Sequence, residues 1–234
     1  IMAVISAAEI TNADAVHPGY GFLAENADFA EVCEACGLTF IGPSPEVIRL
    51  MANKEMARKA MHEAGLPIVP GSEKIQGPIG AVLERAKEIG YPLILKASNG
   101  GGGKGMRIVN SPADLPDAIV VARNESQAAF GSADIYMEKY LPAARHIEFQ
   151  VLADLHGTVV HLGERECSIQ RRYQKLIEEA PSTYVTPELR AEVGELVVRA
   201  AQQVDYTNAG TLEFIFDDQG RYYFMEMNTR IQVE

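Results

Sequence analysis

The carboxylates, amides and cations near the end of the chain have types and spacing that could hold a metal beside an anion. TLEFIFDDQGRYYFMEMNTRIQVE, Thr211 to Glu234, has two runs rich in Phe, Ile, Tyr and Leu around Asp217-Asp218-Gln219-Gly220, which predicts a β-hairpin. With Gln219-Gly220 as a two-residue loop, Asp218 pairs with Arg221 and Glu213 falls opposite Glu226. Like charges directly opposite repel, so this register wants a cation between them. The amide oxygen of Asn228, two residues after Glu226, completes a hard oxygen site suited to Mg²⁺. Arg230, Gln232 and Glu234 continue the alternation and add an anion-binding cation, an amide and a free carboxylate. An exposed hairpin with charged outer residues is the other reading, and a different loop length would shift the register.

Other cations stand in unusual places. Lys96 lies inside PLILKAS (Pro92 to Ser98), a buried-strand pattern in which an ammonium needs a partner. Lys54 falls in the first turn of a helix that Asn53 can cap; there it opposes the helix dipole unless an anion sits in front. A solvated lysine is the plain alternative. GGGGKG (Gly100 to Gly105) formally satisfies G-x-G-x-x-G, but a strand pattern, Met106 to Val109, follows where a dinucleotide fold needs a helix. It also fails the P-loop pattern, because Gly105 follows Lys104. It reads as a glycine-rich hairpin tip able to close over phosphates, or as a plain loop. Arg171, Arg172 and Lys175 cluster in CSIQRRYQK, which suggests anion handling or a set of salt bridges.

The elements that must carry these residues are legible in part. Met2 to Ile10 reads as a short amphipathic helix and Ala15-Val16 as a buried strand; the loop HPGYG follows. Asn26 to Cys36 suits a helix ended by Gly37, and Leu38 to Ile41 a strand. This rhythm is half of a parallel α/β unit, with the His17–Tyr20 loop at the ligand-binding end of its strands. Ser44 and Pro45 start a helix as N-cap and first residue, and Gly65 ends the one after it. Pro78 to Ile89 is a helix closed by Gly90, and Asp134 to Leu141 a strand. Ile147, Phe149 and Val151 alternate with His146, Glu148 and Gln150, so the first three face inward. Thr158 to Leu162 pairs with that strand across Asp154–Gly157. Thr186-Pro187-Glu188 opens a long amphipathic helix that should pack on the final sheet.

The whole is an ordinary globular composition, 47% hydrophobic and 23% charged, large enough for one domain or two. A net charge of −11 argues against a nucleic-acid partner, and no apolar run reaches membrane length. Cys33, Cys36 and Cys167 are too few and odd in number for a disulfide framework, which fits a reducing cytoplasm. Cys33 and Cys36 are formally C-x-x-C, yet lie within a helix pattern and read as packed cysteines. Ile1 already sits in a helix-like pattern and no signal peptide opens the sequence, so the expectation is an interior piece of a longer chain.

HPGYGFLAEN (His17–Asn26), FIGPSPE (Phe40–Glu46), KASNGGGGKGMRIV (Lys96–Val109), EKYL (Glu138–Leu141), RRYQKLIEEAP (Arg171–Pro181) and EMNTRIQVE (Glu226–Glu234) together resemble the biotin carboxylase family. The likeness spans essentially the whole chain. It implies an α+β, ATP-grasp fold over residues 51–234, with a lid at about 69–141, preceded over 1–50 by the tail of a Rossmann-like α/β domain. It implies ATP-dependent carboxylation of biotin with bicarbonate, by a cytoplasmic or mitochondrial-matrix enzyme. By the resemblance Lys54 and Lys96 bind ATP phosphates, Gly101, Gly102 and Gly103 close over them, and Glu138, Lys139 and Leu141 hold the adenine. His146 and Gln170 line the nucleotide and biotin side, Glu213, Glu226 and Asn228 bind Mg²⁺ or Mn²⁺, and Tyr20 approaches biotin. Lys175, Arg230, Gln232 and Val233 hold bicarbonate, and Glu234 is the general base.

Implied partners are a biotin carboxyl carrier protein or domain, a carboxyltransferase and, at full length, a second copy. The acceptor class is acetyl-CoA, propionyl-CoA, pyruvate or similar. Tyr173 departs from the His usual in the RRHQK stretch, and the family's first strand and C-terminal domain, with an arginine that would stabilise deprotonated biotin, have no counterpart here. Two alternatives stay open: another ATP-grasp ligase such as the carbamoyl-phosphate synthetase large subunit, or a nucleotide-binding piece without turnover, since a truncated chain is expected to be inactive alone.

Overall fold

Side-chain caps start the helices that frame the site. Asn26 accepts from the Phe29 amide at 2.7 Å, Ser44 from Val47 at 3.3 Å, Asn53 from both Glu55 and Met56 at 3.1 Å, and Thr186 from Leu189 at 3.2 Å. A computed structural model describes residues 1–98, 106–142, 144–171 and 174–233. In chain order its elements are α1 (Met2–Thr11), β1 (Ala15–Val16), α2 (Ala27–Ala35), β2 (Thr39–Phe40), α3 (Pro45–Ala52), α4 (Lys54–Glu63), β3 (Gly71–Lys74), α5 (Ile79–Ile89), β4 (Leu93–Ala97), β5 (Arg107–Val109), α6 (Leu115–Phe130), β6 (Ile135–Lys139), β7 (Arg145–Ala153), β8 (Val159–Arg171), β9 (Gln174–Glu179), α7 (Pro187–Gln203), β10 (Asn208–Phe216) and β11 (Tyr222–Asn228).

Three sheets result. β1 and β2 form a parallel pair. A four-stranded antiparallel sheet runs β3-β6-β4-β5, and a five-stranded antiparallel one runs β11-β10-β7-β8-β9. Each has its own apolar core. Phe29, Leu38, Phe40 and Ile48 pack under the parallel pair; Val82, Leu93, Leu95, Ile119 and Met137 under the four-stranded sheet; Phe149, Val193, Val197, Phe214 and Phe224 under the five-stranded one. The alternation expected in β7 holds, with Ile147, Phe149 and Val151 fully buried, and α7 covers them.

Several expectations need correction. Ala15 is exposed and Val16 only half-buried, because their sheet has two strands and leaves an open face. Cys33 is packed but Cys36 is exposed, since it caps the helix end. β3 and α6 had no counterpart in the sequence reading. β8 runs nine residues beyond the expected Leu162, to Arg171, and carries Cys167 into the sheet.

The hairpin has the expected pairing for a different reason. Its loop is three residues long: Asp217 donates to the Arg221 carbonyl at 2.9 Å, Gly220 takes φ +79°, and Asp217, not Asp218, faces Arg221. That register would slip the carboxylates by one. A bulge restores them, because Phe214 faces Phe224 and Glu213 faces Glu226, leaving Met225 as the extra residue. The alternation also stops at Asn228, where β11 ends, so Arg230 and Gln232 are placed by irregular chain rather than by a strand.

Candidate active site

A cavity of about 600 Å³ collects most of the singled-out residues. Lys96 and Glu138 enter it from the four-stranded sheet, and His146, Gln170, Lys175 and Glu213 from the five-stranded one. The hairpin supplies Glu226 and Asn228; the segment after it supplies Arg230, Gln232 and Val233. Lys54 arrives from the first turn of α4, and Tyr20 from the loop before α2. This size suits a nucleotide-sized ligand.

Ion pairs hold these groups ready. The Lys96 ammonium lies 2.5 Å from Glu138, the partner that a half-buried lysine required. Glu138 is buried and is also paired with Arg58, whose other nitrogen donates to the Val69 carbonyl at 2.8 Å. Lys54 stands 3.5 Å from Glu226. Glu213 is held by His146 at 2.6 Å, Lys175 at 3.0 Å and the Asn228 amide at 2.6 Å. Burial alone would raise its pKa, but the His146 and Lys175 contacts win and hold the carboxyl down to about 2. Lys175 also meets the fully buried Glu148, and these two carboxylates raise its pKa against the effect of burial. Gln170 reaches the other His146 nitrogen at 2.8 Å.

At the anion end, the Arg230 Nε donates to Glu25 at 3.1 Å, and the same carboxylate accepts from the Thr229 amide at 3.0 Å. Gln232 accepts from Arg165 at 2.6 Å. Four residues here escaped the sequence reading as site components: Glu25, Arg58, Glu148 and Arg165. The polar face of β7 pointed to Glu148; the other three make contacts across long sequence separations, which no local pattern encodes.

Not every expected residue converges. Lys139 turns its ammonium to the Gly90 and Tyr91 carbonyls at 3.1 and 2.7 Å, and neither it nor Leu141 lines the cavity. Gly101, Gly102, Gly103, Arg172, Tyr173 and Glu234 lie outside the described residues. A divalent ion fits the donors that are described. Glu213 and Glu226 sit directly opposite, each now balanced by an ammonium, and carboxylate and amide oxygens suit Mg²⁺ or Mn²⁺.

Two antiparallel sheets with a phosphate-sized set of lysines and opposed carboxylates between them define the ATP-grasp class. Residues 53–234 match the family model for the carbamoyl-phosphate synthase L chain, ATP binding domain, and residues 1–48 match that for the biotin carboxylase, N-terminal domain. The chain belongs to the biotin carboxylase family. It is 56% identical over 231 residues to biotin carboxylase of Nostoc sp., covering 99% of this chain and 52% of that protein. The biotin carboxylase domain dimer of Hydrogenobacter thermophilus 2-oxoglutarate carboxylase, in complex with MgADP, ADP and bicarbonate, superposes with a TM-score of 0.92 at 53% identity. That match covers all of this chain and 51% of the other. The β,γ-ATP complex of Campylobacter jejuni biotin carboxylase gives 0.93 at 50% identity over 100% and 52% of the two chains. The chain thus spans about half the length of the curated relatives it matches.

Proposed function

We propose that this chain supplies the ATP- and bicarbonate-binding part of a biotin carboxylase, which carboxylates biotin on a carrier protein at the expense of ATP. The observation that carries it is the single cleft in which Lys54 and Lys96, the opposed Glu213 and Glu226, and Lys175, Arg230 and Gln232 meet. In this reading the lysines bind phosphate oxygens: Lys96 leaves Glu138, and Arg58 stays behind to neutralise that buried carboxylate. Glu213, Glu226 and Asn228 would hold Mg²⁺ or Mn²⁺, which would supply charge neutralisation at the phosphates. Lys175, Arg230, Gln232 and Val233 hold bicarbonate, and Glu234 takes its proton. The bicarbonate oxygen attacks the γ-phosphorus and ADP leaves. Carboxyphosphate then breaks into CO₂ and phosphate, the phosphate takes the ureido proton of biotin, and the ureido nitrogen, near Tyr20, captures CO₂.

The four-stranded sheet, within residues 69–141, acts as the lid, with Gly101, Gly102 and Gly103 over the phosphates. Adenine lies beside Glu138, Lys139 and Leu141, and His146 and Gln170 line the wall. The side-chain contacts of Glu138 and Lys139 leave backbone groups as their means of reading the base. At full length we expect a cytoplasmic homodimer serving a biotin carrier and a carboxyltransferase. The test is ATP hydrolysis by the full-length protein, with bicarbonate and biotin varied. Turnover should require bicarbonate and rise with biotin. Hydrolysis indifferent to bicarbonate sinks the proposal, and carbamoyl phosphate made from ammonia would assign the chain to the related synthetases.

A further inference from the structure

Arg165 lies behind the cleft, on β8, with its side chain 14% exposed. Its guanidinium donates to four acceptors on two strands, β7 and β10, and the final segment. Nε reaches Glu148 at 2.7 Å, one terminal nitrogen reaches Gln150 at 2.9 Å, and the other reaches Gln232 at 2.6 Å and Thr211 at 3.3 Å. Arginine has donors only, so the Gln232 atom facing it must be the carbonyl oxygen. Thr211 donates to the same oxygen at 3.3 Å. The other end of the amide, its NH₂, is therefore free of these contacts on a residue that lines the cavity. Glu148 is fully buried and takes Arg165 on one carboxylate oxygen and Lys175 on the other.

We propose that Arg165 is a positioning residue for the anion subsite: it fixes Gln232 as a hydrogen-bond donor toward the cleft and, through Glu148, anchors Lys175. This rests on the reading of the cleft as a bicarbonate site. An unrestrained glutamine could offer either end of its amide to a ligand. Clamped at its oxygen by a guanidinium, it offers N–H groups alone, which selects an anion. The clamp and the lysine tether share one fork, so the two anion contacts keep a fixed spacing. A lysine at 165 could still neutralise Glu148, but a single ammonium cannot reproduce the planar fork that spans Glu148, Gln150 and Gln232.

The experiment uses the full-length protein and bicarbonate-dependent ATP hydrolysis. Arg165→Lys should raise KM for bicarbonate roughly tenfold, the loss of one charge-assisted hydrogen bond, and leave KM for Mg-ATP unchanged. In a Gln232→Ala background the same change should raise it less, because one of the two groups it acts through is gone and only the route through Glu148 to Lys175 remains. Gln232→Glu keeps the partner for Arg165 and hence the fold, yet replaces the donor with a carboxylate; its KM for bicarbonate should rise at least as far. Equal KM values for wild type and Gln232→Glu, or a full tenfold effect of Arg165→Lys in the Gln232→Ala background, would overturn the assignment. If the wild type itself shows no bicarbonate dependence, the reading of the cleft fails instead.

Discussion

Replacing Glu226 by Gln tests whether the opposed carboxylates exist for a metal. Without metal the change removes one member of a like-charge pair, whose direct opposition is unfavourable by a few tenths of a kcal/mol to about 1 kcal/mol. It also removes the ion pair with Lys54, but at 3.5 Å, with the side chains 27% and 40% exposed, that contact adds at most about 1 kcal/mol. The two effects nearly cancel. For a chain of this size 1 kcal/mol moves Tm by roughly 2–4 °C, so metal-free Glu226→Gln should melt within that interval of wild type. Mg-ATP at a hundred times its Kd adds about 2.7 kcal/mol to wild type, a rise of roughly 5–11 °C. Glu226→Gln should lose most of that rise, and Mg²⁺ without nucleotide should likewise do less for the mutant. Differential scanning fluorimetry with and without Mg-ATP reads all of this. An equal nucleotide-induced shift in both proteins would refute the metal reading of the pair.

Lys96→Ala should weaken ATP binding at least tenfold by calorimetry, since a charge-assisted phosphate contact is worth about 1.5–3 kcal/mol, while Arg58 keeps Glu138 paired and the fold intact. In the full-length protein Glu234→Gln should abolish bicarbonate-dependent hydrolysis and leave ATP binding nearly unchanged; wild-type turnover would move the base elsewhere. Burial raises the pKa of Glu164, but hydrogen bonds from Arg190 and the Ser182 amide outweigh it and hold the carboxyl below its ordinary 4.5. A depressed carboxylate stabilises the fold above its ordinary pKa and loses that contribution as pH falls through the folded value. Glu164→Gln should therefore flatten the decline of Tm below pH 4.5 relative to wild type. Gly194 lies under the His161 ring, where a Cβ would come within 2.5 Å, so Gly194→Ala should destabilise the protein by about 1–3 kcal/mol in urea.

The sequence made the helix starts visible, Ser44 and Asn53 as caps and Asn26 and Thr186 as first residues, because all four act within three residues of themselves. β7 was visible for a similar reason: one face carries apolar core side chains and the other polar ones, so its period of two is clean. α6 was not. Val120 and Val121 are exposed on it while Ser126 is buried, so neither apolar period stands out, and tertiary packing selects the helix. In the candidate site, residue types betrayed Lys96 and the opposed glutamates, whereas Arg58 and Arg165 look like any surface arginine until their partners 80 and 67 positions away are known. The hairpin taught the converse lesson: the pairing of Glu213 with Glu226 was expected from a two-residue loop, but arises from a three-residue loop and a bulge.

That bulge has a practical consequence. Within β11 the buried residues are Phe224 and Met227, three apart, so Met225 absorbs the change of side between core and cleft. The register of the carboxylates is thus pinned at Met225 and by the pairing of β10 with β7, not at the tip. Asp218, Gln219 and Gly220 are exposed and lie at least five residues along the chain, about 16 Å of strand, from the Glu213–Glu226 pair. The tip is therefore a place to graft a fluorophore or an affinity tag, where a reporter can ride on the same hairpin that carries the carboxylates without entering the cleft.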